Sequence, residues 1–96
     1  MIVHIVLFKW KNNVSKKQVQ ETFSDLENLK GKIKGLEGIF SGENFSKYSE
    51  GFEHGLVVLA KGAESLDAYR KHPLHLEIAK KIERLEEKSI GVDFET

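Results

Sequence analysis

The sequence predicts an α+β domain of ferredoxin-like topology, βαββαβ, with a four-stranded antiparallel sheet. Three observations lead there. Four runs rich in β-branched and aromatic residues alternate with segments of helical apolar spacing, in an order that splits two βαβ units. The first and third runs are the most apolar, as the two central strands of such a sheet should be. No linker, repeat or low-complexity stretch interrupts the 96 residues, so residues 1–96 are expected to form one domain.

Residues 2–11, "IVHIVLFKWK", read as the first strand. Ser15 is a candidate N-cap for a helix that places Val19, Phe23 and Leu26 on one side, with Gly31 and Gly35 marking its end. Residues 37–45 predict a second strand, bulged at Gly42, and the polar "SKYSEG" connects it to the third, 52–61. A helix is expected from Ala63 or Glu64 to Lys71, with Leu66 and Tyr69 on one side. Pro73, the chain's single proline, suits the first position of a further helix striped by Ile78, Ile82 and Leu85. "SIGVDFE" closes the domain as a strand with Ile90, Val92 and Phe94 on one face.

Side-chain alternation in the central strands predicts a partner. Ile2, His4, Val6, Phe8 and Trp10 face one way with His54, Leu56 and Val58; Val3, Ile5, Leu7, Val57 and Leu59 face the other. The helices can cover one face only. A bare face of Val3, Ile5, Leu7, Val57 and Leu59 is too apolar for a monomer, so a homodimer packed sheet to sheet is expected.

Composition narrows the function classes. Fifteen Lys and Arg balance fifteen Asp and Glu, which removes the basic footprint of a nucleic-acid binder. The absence of cysteine excludes thiolate catalysis, disulfides and Cys-based zinc sites. The apolar start "MIVHIVLFKWK" is too short to span a bilayer and lacks signal-peptide features, so a cytoplasmic protein without membrane association is expected. No phosphate-cradling glycine loop and no metal-ligand spacing is visible, and neither a cofactor nor a metal is expected.

The chemistry concentrates in "AYRKHPLH", residues 68–75. Tyr69 follows Leu66 by three residues and His75 precedes Ile78 by three, so both turn inward, toward the face that carries His4 and His54. Four titratable side chains are thus expected to converge in a layer that should be apolar. A neutral histidine at a helix N-terminus can take a proton, and a tyrosine can hold a carbonyl or enolate oxygen. Tyr69 and His75 are therefore the candidate catalytic pair. The other candidate substrate contacts are His4, His54, His72, Phe8, Phe23, Leu56 and Ile78. Each has a structural alternative: His72 as the N-cap before Pro73, the buried histidines as satisfied core residues, and the apolar set as plain core.

"HIVLFKWK", "GFEHGLVVLAKGAESLDAYRKHPLH" and "GVDFE" together resemble the stress-responsive α/β-barrel (Dabb) family over essentially the whole chain, most specifically in AY-x-x-HP-x-H. The resemblance implies a homodimeric α+β barrel. Some members are polyketide cyclases that close a ring by aldol chemistry without a cofactor, using a Tyr and a His that match Tyr69 and His75 here. His4, His54 and His72 match histidines around the same cavity. The expectation is a homodimer with a small carbonyl or phenolic ligand between sheet and helices, handled by lyase-like proton transfer. The alternative is a non-catalytic binding or stress-protective dimer.

Overall fold

A computed structural model of the chain describes residues 1–96. Its elements run β1 (Ile2–Trp10), α1 (Lys16–Glu27), a 3₁₀ turn (Asn28–Lys32), β2 (Leu36–Glu43), β3 (His54–Ala60), α2 (Ala63–Lys71), α3 (Pro73–Leu85) and β4 (Glu86–Glu95). The strands form one antiparallel sheet in the order β2-β3-β1-β4, so the two most apolar strands are central as expected. This is the ferredoxin-like fold.

Local sequence explains the boundaries. The Ser15 hydroxyl accepts from the Gln18 N–H at 3.1 Å while the Gln18 side chain accepts from the Ser15 N–H at 2.9 Å. That reciprocal pair starts α1 and contributes about 1 kcal/mol. Gly35, at φ +89°, makes the turn into β2, a left-handed conformation that glycine adopts without strain. Pro73 opens α3 because His72 is extended, at φ −62° and ψ 133°, which breaks the helical path after α2.

Three details differ from the sequence expectation. β3 begins at His54, because Phe52 and Glu53 still belong to the loop after β2. The irregularity in β2 lies between Leu36 and Gly38; Gly42 pairs in regular register with Gly55. Two glycines opposite one another leave the ladder undisturbed, and the strand is displaced instead where it leaves the Gly35 turn. β4 begins at Glu86, directly after α3, because Trp10 and Lys9 of β1 capture Glu86 and Lys88 as ladder partners.

All three helices lie on the face of Phe8, Leu56, Val58 and Ala60. There they bury Val19, Phe23, Leu26, Leu66, Tyr69, Ile78 and Ile82. The opposite face carries no element of this chain. Register places Phe94, Val92 and Ile90 beside Val3, Ile5 and Leu7, and Phe40 beside Val57. Phe40, Ile90, Val92 and Phe94 remain 45–57% exposed, so the bare apolar face is wider than the five residues named from the sequence. No helix is long and apolar enough to cross a membrane.

Candidate active site

Tyr69 ends the inward stripe of α2 and is 1% exposed. The chain then turns at His72, whose Nδ1 accepts the Leu74 N–H at 3.2 Å and whose carbonyl accepts from the Leu76 N–H at 3.0 Å. An accepting Nδ1 carries no proton, so His72 serves α3 as its N-cap. That turn folds the first residues of α3 back on the end of α2. His75 lands against Tyr69, ring centroids 4.3 Å apart.

The tautomers of two histidines follow from their partners. His75 Nδ1 lies 3.0 Å from the Arg70 carbonyl, which can only accept, so Nδ1 donates and Nε2 keeps its lone pair. His4 reaches the same region from β1, 6.4 Å from Tyr69 between centroids. Its ladder partner is Asp93 of β4, and Nδ1 lies 2.5 Å from that carboxylate. There too Nδ1 donates and Nε2 is left unpaired when the ring is neutral. The second Asp93 oxygen accepts from Arg70 Nη2 at 2.5 Å.

Environment sets the charge states. Burial lowers the His75 pKa below its ordinary value, against a smaller raising effect of the Arg70 carbonyl. Burial, helped by the charges of His4, Arg70 and His72, thus biases the ring toward its neutral form. Burial pushes the Tyr69 phenol far above its usual range, so it is a hydrogen-bond donor at neutral pH. The His4 hydrogen bond, and after it Arg70, hold the Asp93 carboxyl below the ordinary range.

His54 is not part of this group. It sits at the Phe8 end of the sheet, four positions along β3 from the partner of His4, a span of roughly 13 Å. Its ring packs on Phe23 at 4.4 Å and near Trp10 at 6.0 Å, and its buried Nε2 has no hydrogen-bond partner. The convergence of four titratable side chains thus becomes a cluster of His4, Tyr69 and His75, with His54 in a separate aromatic nest. Long strands separate the two, although parity puts both histidines on one face.

The expected apolar wall is filled. Phe8, Phe23, Leu56 and Ile78 are all buried in the core cluster. A groove of about 260 Å³ opens beside Trp10, Lys16, Val19, Glu43 and His54. A wider one of about 570 Å³ opens beside Ile2, Leu66, Arg70, Asp93 and Phe94. Neither is lined by Tyr69 or His75. No three His, Asp or Glu side chains form a group that could hold a metal ion.

Sequence reasoning missed Asp93 and Arg70. Asp93 carried a signal: with Ile90, Val92 and Phe94 on one face of β4, Asp93 must share the other face with His4. Arg70 carried none, since its role depends on how α2 lies across β4.

Fold and site together define a ferredoxin-like domain with one uncovered apolar sheet face and a Tyr-His pair under its helices. The chain belongs to the stress responsive A/B barrel domain (Dabb) family, whose family model matches residues 2–96. It is 25% identical over 77 residues to the olivetolic acid cyclase of Cannabis sativa, covering 78% of this chain and 76% of that protein. A stress-response A/B barrel domain-containing protein of Arabidopsis thaliana is 27% identical over 94 residues, covering 95% and 82%. The crystal structure of a dimeric ferredoxin-like protein of unknown function from Thermobifida fusca superposes with a TM-score of 0.86. That likeness is at 25% identity and covers 99% of this chain and 90% of the other.

Proposed function

We propose that this chain is a homodimer that carries out cofactor-independent proton transfer on a small carbonyl or phenolic substrate. The observation that carries this reading is the pair of imidazoles beside the buried Tyr69, at 6.4 and 4.3 Å between ring centroids, each with Nδ1 engaged and no hydrogen bond at Nε2. In the step we envisage, His75 Nε2 takes the proton from carbon next to the substrate carbonyl. The C–H electron pair moves into the enolate, and the neutral Tyr69 hydroxyl donates a hydrogen bond to its oxygen. When the enolate carbon adds to a second carbonyl of the substrate, that carbonyl's π pair passes to its oxygen, and the imidazolium returns the proton to the resulting alkoxide. The similarity to olivetolic acid cyclase supports this class of chemistry and extends it toward an aldol closure or its lyase-like reverse. His4 assists as the second imidazole, and His72 shapes the turn. His54 stays in its separate aromatic nest, and Phe8, Phe23, Leu56 and Ile78 form the core behind the cluster, so none of them has a role in the step.

The dimer is proposed through Val3, Ile5, Leu7, Val57 and Leu59, extended by Phe40, Ile90, Val92 and Phe94. The bare face and the dimeric state of the Thermobifida protein support it. The expected cytoplasmic location is kept as part of the same proposal.

A second reading, a non-catalytic binding or protective dimer, draws support from the 1% exposure of Tyr69. A thermal-shift screen against phenolic acids, β-keto acids and small polyketide lactones separates the two. A ligand at a hundred times its Kd adds about 2.7 kcal/mol, several degrees for a domain of this size. The catalytic reading predicts hits that vanish in Tyr69→Phe or His75→Ala. No hit across the panel, with both variants only melting earlier, favours the second reading.

A further inference from the structure

Arg70 stands outside the cluster yet touches it twice. Its carbonyl accepts from His75 Nδ1 at 3.0 Å, and its guanidinium meets the Asp93 oxygen that His4 leaves free, at 2.5 Å. We propose that Arg70 is a positioning residue, clamping Asp93 against His4 while holding His75, so that one residue of α2 aims both imidazoles at Tyr69. This rests on the proton-transfer reading for its purpose, though the clamp itself is a statement about geometry.

Arg70 does not take the nearest carboxylate on its own helix. Asp67, three residues earlier, is bound by Lys71 at 2.8 Å, which leaves the guanidinium to cross from α2 to β4. The Arg70 side chain is 45% exposed and that of Asp93 40%, so packing does not dictate the crossing and the pair adds little to stability. What it fixes is direction. With one oxygen held by Arg70, the Asp93 carboxylate cannot rotate away, and its other oxygen stays on His4 Nδ1. A free neutral imidazole prefers its proton on Nε2; the aspartate forces it onto Nδ1 and so leaves the Nε2 lone pair free, in a ring whose centroid is 6.4 Å from that of Tyr69. A planar guanidinium suits this better than an ammonium, because its donors are fixed in direction.

The test uses the full-length chain with ring-¹⁵N-labelled histidine, read by long-range ¹H–¹⁵N spectra at about pH 8, above the ordinary histidine range. In the wild type, His4 and His75 both show the Nδ1–H pattern. Arg70→Met moves His4 toward a mixture of tautomers, Arg70→Lys restores it in part, and Asp93→Asn moves it at least as far as Arg70→Met. His75, held by a backbone carbonyl, is unchanged throughout and serves as the internal reference. Arg70→Gln gives the same reading if Arg70→Met does not fold. A His4 pattern in Arg70→Met or Arg70→Gln identical to wild type overturns the clamp. Because the spectra need no substrate, that result is separable from a failure to find turnover, which bears on the proposed reaction instead. Where a substrate is turned over, the clamp predicts a lower kcat in Arg70→Met at similar KM.

Discussion

His54 is the one inward residue of β3 that is not apolar, and its Nε2 is buried without a partner. Leaving such a group unpaired costs about 1–3 kcal/mol, so His54→Leu is expected to stabilise the chain by about 1 kcal/mol in urea unfolding. The same substitution bears on pH dependence. Burial lowers the pKa of His54, opposed by Glu43 and Glu27, and lowers that of His75 as well. Between these depressed values and the unfolded value of 6.5, the native chain binds fewer protons than the unfolded one. Stability therefore falls as pH drops below that value, and the depressed Asp93 extends the loss at lower pH. Melting curves recorded from neutral to acid pH should show this decline, and His54→Leu should flatten its first part. An equal decline in the variant would assign it elsewhere. At Tyr69 and His75 the expectation concerns rate. Removing a positioned acid or base costs about 10²–10⁴-fold, so Tyr69→Phe and His75→Ala should each lose turnover by that order with circular dichroism unchanged.

Among the elements, the turn into β2 is the most constrained. A Cβ on Gly35 would fall onto the Ser65 side chain, and φ there is +89°. Gly35→Ala should destabilise by about 2 kcal/mol, whereas Ala at Gly31, with open space around it, should cost nothing measurable by the same unfolding curves. The contrast shows what the sequence made legible. Strand and helix identities, the Ser15 cap and the Pro73 start were readable because each depends on residues within a turn of one another. The two glycines, and equally the position of the irregularity in β2, look alike in sequence and differ only through what packs against them. The site divides in the same way. Tyr69 and His75 were visible from helical spacing, and Asp93 was within reach of strand alternation. Arg70 was not, and parity alone could not show that His54 and His4 lie at different ends of one face.

For the whole molecule, the uncovered face decides the state of assembly. Nine apolar side chains on one sheet surface are expected to bring two copies together. Light scattering should give twice the chain mass of 10.9 kDa. Val57→Lys, which buries a charge in the middle of that face, should give the single mass with the fold retained. A wild-type chain that is monomeric at all concentrations would contradict the dimer. The central claim, proton abstraction next to a carbonyl, is tested most directly by deuterium wash-in. Ketones, β-keto acids and lactones are incubated with the protein in D₂O, and loss of the α-proton signal is followed by NMR. The account predicts exchange faster than buffer for at least one carbonyl class, abolished in His75→Ala and strongly slowed in Tyr69→Phe. No exchange above buffer for any of them, from a folded dimeric protein, would contradict it.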